Sequence, residues 1–407
     1  MEKLCDANLL YDGFKRARKG SAWKPEVQLF SYNFLQEITN LQKELINGKY
    51  KTSEESSFII HERGKARLIH GLRMRDRVVR HVFCDHILEP IIRSKLIYDN
   101  YASLTDRGIA MARKRFAQYL HKYYRKHGNK GYILMVDFSG YYDNVLHKPI
   151  KEMLDYKLTP KERNFLHHVL DKSKIDVSYL PQEEKCEETK FKSLDYYAIP
   201  KELKTGKRYW EKSLNIGDQT SQIFGVWYPT RIDNYVKIVR GIKHYGRYMD
   251  DLYIIAETKE ELHDVLNGIK AEAKKLGIFI HERKTAIYKL NGKFRFLQLQ
   301  YSLTDSGRLI VKINPKRITA MRRKLKKLKP KVDSGVIPIE DIVNLYHSWI
   351  GNYAKYMSKI QRYNMNLLFY ELYGGCKCKF TQIMGLRLKK TRNRFCGISK
   401  QCVTTRN

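Results

Sequence analysis

Residues 244–257 read HYGRYMDDLYIIAE. Two adjacent carboxylates, Asp250 and Asp251, interrupt an otherwise strand-like run. Burying a charge is costly, and two like charges side by side cost more. A hairpin would resolve the conflict, because its tip lifts both side chains out of the sheet to water. A second apolar run, ILMV at 133–136, stops as abruptly at Asp137. If the two runs are neighbours in one sheet, three carboxylates converge at one edge. Alone, such a cluster raises its own pKa values. With Mg2+ it becomes a hard-oxygen site that engages phosphates, and a pair of such ions suits attack by a 3′-hydroxyl with departure of pyrophosphate. The plainer alternative is a polar turn at Asp250-Asp251 and a helix N-cap at Asp137.

The bulk composition narrows the partners. Hydrophobic residues make up 43% of the 407 and aromatics 12%, which marks a globular chain with room for two or three domains. Lys and Arg outnumber Asp and Glu by 78 to 43, a net charge of +35 that points to nucleic acid. Half of the residues from 312 to 331 are Lys or Arg, and the stretch 376–407 contains no acid. No apolar run approaches a membrane span, and MEKLCDANLL at the N-terminus lacks signal-peptide character, so the expectation is a cytoplasmic protein without a membrane partner. Seven cysteines at irregular spacing fit free thiols, and the cluster at 376, 378, 396 and 402 lacks the spacing of a common zinc module.

Along the chain, residues 1–50 read as a basic helical extension, and SSFIIHERGKARLIHGL as a hairpin turning at Arg63-Gly64. Helices are expected at about 75–92 and 109–124, a strand, turn and helix around Asp137, and a further helix over about 259–276. The stretch 216–236 reads as a glycine turn followed by one helix. Residues 171–212 are polar and patternless and read as an insertion, a candidate for mobility. Beyond Val311 only helices are expected. One carries the stripe Ile318, Met321, Leu325 and Leu328, and the next carries Ile342, Val343, Tyr346 and Trp349. The order is α+β followed by all-α.

YMDD between apolar strands, together with VDFSGYYDNV upstream, resembles the catalytic motifs of reverse transcriptases. The resemblance covers about 51–373 and implies a right-hand polymerase: fingers at 51–130, palm at 131–300, helical thumb at 301–375 and a basic tail at 376–407. It implies RNA-directed DNA synthesis from dNTPs on a DNA or RNA primer. Asp137 and Asp250 match the Mg2+ ligands, with Asp251 assisting and Phe138 among the metal- and nucleotide-contacting positions. Tyr142 matches the steric gate against a ribose 2′-hydroxyl, or else packs the core. Lys65 and Arg67 match the finger cations that grip the triphosphate, and Arg77 supports that grip or the template. Lys284 matches the lysine that protonates pyrophosphate, or else is a surface lysine. RFLQLQY occupies the place of the primer-gripping hairpin, with Gln298 where the family has glycine. Lys316, Arg317, Arg322, Arg323, Lys324, Lys326 and Lys327 would line nucleic acid from the thumb.

IGDQTSQ, at 216–222, resembles the form found in diversity-generating retroelements rather than the Q-G-x-x-x-S-P of most bacterial relatives. Gly217 would let the backbone approach the nucleotide, Gln222 would touch it, and Ser221 with Gln222 would buttress the templating base. Ile216 cannot hydrogen-bond a nucleotide, which implies permissive base selection. The partners implied are an RNA template, a primer and a structured noncoding RNA, with room for an accessory protein. A bacterial or phage retroelement and antiphage defence with a noncoding RNA both fit these motifs. A non-catalytic RNA-binding scaffold would have lost carboxylates that this chain keeps.

Overall fold

The computed structural model describes residues 3–62 and 64–374; Arg63, the cysteines at 376, 378, 396 and 402, and the basic tail lie outside the described residues. The chain divides into two compact units, at Leu290 and Asn291.

The first unit opens with helices α1 (Ala7–Arg18), α2 (Pro25–Tyr32) and α3 (Phe34–Ile46). Asp6 caps α1 by accepting from the amides of Asn8 and Leu9. Strands β1 (Ser56–Glu62) and β2 (Lys65–Gly71) form the expected antiparallel hairpin, closed beside Gly64 at φ +77°. The helical stretch that follows is α4 (Met74–Val82), a π-helical turn (Phe83–Leu88) and α5 (Glu89–Arg93). α6 (Ile109–His127) buries Ala112, Phe116, Leu120 and Tyr123, the three- and four-residue spacing of one helix face. It leads into β3 (Tyr132–Asp137). Helices α7 (His147–Leu154) and α8 (Pro160–Asp171) come next; α8 opens with a capping box between Thr159 and Glu162.

The segment 171–212 is more ordered than its composition implies. Strands β4 (Ile175–Asp176) and β5 (Tyr209–Trp210) pair with each other, and helix α9 (Ser193–Tyr197) lies between them in sequence. Ile175, Val177, Phe191 and Trp210 form a small core of its own. Two-residue strands and apolar residues this scattered leave no periodicity to read. The single helix expected over 216–236 is likewise broken. α10 (Gln219–Trp227) stops before Pro229, and α11 (Thr230–Asn234) resumes after it, because proline lacks the N–H that a continuing helix needs.

Strands β6 (Tyr245–Tyr248) and β7 (Asp251–Ala256), helix α12 (Lys259–Lys275) and strand β8 (Ala286–Lys289) complete the unit. The four-stranded sheet has the order β6-β7-β3-β8, antiparallel throughout. α12 packs across β3 and β7. Leu134, Val136, Leu252 and Ile254 are fully or almost fully buried, which is why the central strands read as unbroken apolar runs.

The second unit holds a three-stranded antiparallel sheet, β9 (Phe294–Phe296), β10 (Leu299–Leu303) and β11 (Leu309–Ile313), with β10 central. Strand character persists to Ile313, two residues past the expected switch to helix. Helices α13 (Pro315–Asp333), α14 (Ile339–Tyr353) and α15 (Lys359–Tyr373) follow. Both expected stripes pack into one core: Met321 and Leu325 bury against Ile342, Val343 and Tyr346, joined by Met365, Phe369 and Tyr373. No helix among the described residues is long and apolar enough to cross a membrane.

Candidate active site

The pairing of β3 with β7 sets Asp137 opposite Asp251, the last pair of that ladder. Tyr248 faces Asp251 across the β6–β7 hairpin, so Met249 and Asp250 form its tip. Met249 adopts a left-handed conformation at φ +54°, which a long side chain rarely takes. Its carbonyl accepts a hydrogen bond from Nη1 of Arg247 at 3.0 Å, while Nε and Nη2 of the same guanidinium donate to Asp233 at 2.8 and 2.6 Å. Arg247 and Asp233 are both fully buried. The charged prop beneath the turn thus comes from the strand and from α11.

The three carboxylates act on one another. Burial raises the pKa of Asp250, and the charge of Asp137 raises it further. Asp251 is pushed up to about 7, by burial first and then by Asp250 and Asp137. Asp137 ends a buried strand, and Lys284 holds its carboxylate in an ion pair. A 3-10 turn at Glu282–Lys284 presents that lysine, and the amide of His281 donates to the carbonyl of Asp137 at 2.8 Å. Among the described residues, no group of three or more His, Cys, Asp or Glu is gathered closely enough to hold a metal ion as the side chains stand. The donor set nevertheless suits a hard cation: it is all oxygen, and the charges of Lys284, Arg67 and Lys65 offset its repulsion only in part, since Asp250 and Asp251 stay raised.

Of the sequence-derived substrate positions, Tyr142, Lys65, Arg67 and Phe138 gather at this edge, while Gly217 packs against β2 and Gln222 borders a cavity beside α4. Tyr142 is half-buried in a 3-10 turn, and its pKa is raised by burial and by Asp250. Its hydroxyl would lie 2.8 Å from a Cβ added at Gly225, so the ring rests on bare α10 backbone. The charge of Arg67 reaches Tyr142 and Asp250, and that of Lys65 reaches Asp251. Phe138 is buried and bridges to Ile280. Gly217 sits at φ +119°, where a Cβ would meet the carbonyl of His70 at 2.5 Å. The amide of His70 donates to the carbonyl of Ile216 at 2.8 Å, tying β2 to the start of α10.

Four residues of α4 and α10 divide between burial and exposure. Ser221 is buried within α10, while Gln222 is exposed beside a polar cavity of about 360 Å³. Arg77 lines that cavity, but its guanidinium donates to the carbonyl of Ala17 and to Oγ of Ser21, which ties it to the end of α1. Arg80, which no sequence motif marks, is buried there beside Asp218 at 3.2 Å.

In the second unit, Lys316, Arg322, Arg323, Lys324, Lys326 and Lys327 are exposed on α13. Arg317 is half-buried, 3.3 Å from the hydroxyl of Tyr353. The β9–β10 loop is a two-residue turn with Leu297 at φ +43° and Gln298 at φ +74°. Gln298 thus takes a left-handed conformation where glycine is expected, and its side-chain oxygen accepts from the hydroxyl of Tyr353.

Residues 51–301 match the family model described as reverse transcriptase (RNA-dependent DNA polymerase). The chain belongs to the reverse transcriptase family. Its members are RNA-directed DNA polymerases, a class of nucleotidyltransferase, and the mixed helices and antiparallel sheet of this reverse transcriptase fit their right-hand polymerase fold. Among solved structures it is similar to apo telomerase from Candida tropicalis, at 14% identity and a TM-score of 0.45, with 86% of this chain and 67% of that one covered. A C-terminally truncated form of the same telomerase gives 14% identity and a TM-score of 0.44 over 63% of this chain and 54% of that one. Telomerase from Candida albicans with a TWJ fragment of telomeric RNA gives 13% identity and a TM-score of 0.40, covering 81% and 63%. The chain therefore spans between 54% and 67% of the length of these telomerases. No curated protein is similar enough to match.

Proposed function

We propose that this reverse transcriptase copies an RNA template into DNA by adding dNTPs to a primer 3′-hydroxyl. The observation that carries the reading is the register pair Asp137–Asp251, with Asp250 at the adjoining strained turn. Asp137 and Asp250 would hold two Mg2+ ions, with Asp251 assisting and Phe138 contributing from its place beside Asp137. Such ions, when bound, lower the pKa of the attacking hydroxyl and neutralise charge developing on the phosphates. The remaining tasks belong to the chain. Lys65 and Arg67 grip the triphosphate, and Arg suits this because its fork matches phosphate oxygens two at a time. Tyr142 stands where a ribose 2′-hydroxyl would come, which favours dNTPs over NTPs. Lys284 supplies a proton to the departing pyrophosphate.

In this reading residues 51–130 are the fingers, 131–300 the palm and 301–375 the thumb, with the basic face of α13 along the template–primer. Gly217 gives the nucleotide close backbone access, while Ser221 and Gln222 support the templating base and Arg77 steadies the fingers behind it. The I-G-x-x-x-S-Q motif favours a diversity-generating retroelement with permissive base selection. The ordered insertion 171–212 favours the second reading, antiphage defence with a structured noncoding RNA.

Purified protein given Mg2+, dNTPs and a primed RNA is expected to yield cDNA, and Asp250→Ala to yield none. Equal yields from the two proteins would overturn the reading. Sequencing the nucleic acid that co-purifies decides the role: a template-repeat transcript indicates diversification, and a compact noncoding RNA indicates defence.

A further inference from the structure

Lys190 lies in the insertion, far in sequence from the catalytic motifs, yet its ammonium donates to Oγ of Ser139 at 2.6 Å. Ser139 stands two residues after Asp137 and three before Tyr142, in the turn that joins them. The chain on both sides of Lys190 is pinned. The fully buried Lys212 ammonium donates to the carbonyls of Cys186 and Thr189 at 2.6 and 2.9 Å. Asn144 exchanges two hydrogen bonds with the backbone of Phe191, at 2.8 and 3.0 Å, and the amide of Ser193 donates to Asp143 at 3.2 Å. Just beyond, α9 packs against β2, the strand of Lys65 and Arg67. Lys190 itself is exposed.

The turn it reaches is shaped for an anion. Gly140 is left-handed at φ +57° and Tyr141 right-handed at φ −54°, so successive amides point into one concavity. Neither amide donates to a backbone carbonyl among the described residues. The hydrogen bond of Lys190 is to neutral Ser139, with its charge also reaching Asp143, and a phosphate in place of that hydroxyl offers a stronger bond because its acceptor is ionised.

We propose that Lys190 is a further substrate-contacting residue, which binds the β- and γ-phosphates of the incoming nucleotide from the insertion side, opposite Lys65 and Arg67. This rests on the polymerase reading above. Lys190→Ala should raise the KM for dTTP on a poly(rA)–oligo(dT) substrate about tenfold while kcat changes little, and should weaken pyrophosphate inhibition by a similar factor. Lys190→Arg should restore most of both. Thermal melting should not change, since the side chain is exposed. Equilibrium titration of dTTP into the Mg2+-supplemented full chain, without primer, should show the same weakening. Constants within about twofold of wild type, or a wild-type protein that binds no triphosphate, would overturn the proposal. Triphosphate binding that depends on Lys190 in a protein making no cDNA would keep this contact and sink the polymerase reading instead.

Discussion

Arg247 holds the carbonyl of Met249, two residues along the chain, with the same guanidinium that Asp233 neutralises. The left-handed turn that presents Asp250 is therefore fastened to a buried ion pair. Removing one partner of such a pair leaves an uncompensated charge in the interior, which costs about 3–5 kcal/mol. Asp233→Ala should lose that much stability in denaturant titration, and nucleotide incorporation should fall in whatever fraction stays folded. A loss below about 1 kcal/mol would show that Arg247 finds other partners.

Tyr142 and Gly225 form a second coupled pair. A methyl at 225 would lie 2.8 Å from the Tyr142 hydroxyl, too close to be accommodated without moving the ring. Tyr142→Ala should admit ribonucleotides, and discrimination between dTTP and UTP should fall about tenfold or more. Gly225→Ala should lower kcat/KM for dTTP through the displaced ring. Unchanged selectivity in Tyr142→Ala would reduce Tyr142 to core packing.

His147 sets an acid limit on the fold. Its ring is fully buried, with Nε2 at 2.7 Å from the carbonyl of Ser213, and burial lowers its pKa to about 4. The unfolded chain takes up a proton near 6.5 while the folded one resists until about 4. The contribution of His147 to stability is thus complete above pH 6.5 and is lost as pH drops toward 4. At about 1.4 kcal/mol per pH unit the loss comes to about 3 kcal/mol. Asp251, whose raised pKa shifts stability the opposite way over the same range, makes this a measurement by difference: between pH 7 and pH 4.5 in urea titrations, wild type should lose about 3 kcal/mol more than His147→Gln, which keeps a donor for Ser213.

The exposed cations of α13 predict salt dependence. Each phosphate neutralised contributes about −0.7 to −0.9 to the slope of log affinity against log salt. Replacing Lys324, Lys326 and Lys327 with Gln should lower the slope for primed RNA by about two. An unchanged slope would place this face away from nucleic acid.

What could be read from sequence followed periodicity. The runs ending at Asp137 and Asp250, the 56–71 hairpin and the stripes of α13 and α14 all announce themselves by spacing, and all form as expected. What escaped depended on contacts between distant residues. Asn144 clasps Phe191, and Lys212 clamps Cys186 and Thr189, so a segment without pattern is ordered by its surroundings. Arg77 turns to α1 because carbonyl and hydroxyl acceptors wait there, which no local motif records. Arg247 did leave a signal: a charge inside a buried strand, two residues before the turn that it supports.

The hairpin of β1 and β2 has a consequence of parity. Lys65 and Arg67 share one exposed side of β2, Leu68 is buried on the other, and His70 is fastened to Ile216. Side chains alternate with every residue, so one extra codon between positions 67 and 68 would turn both cations toward the wrong side. The encoded protein would keep its net charge, yet offer Ala66 where two cations should greet the nucleotide. Length variation in this family member should accordingly be tolerated within β2 only in even steps.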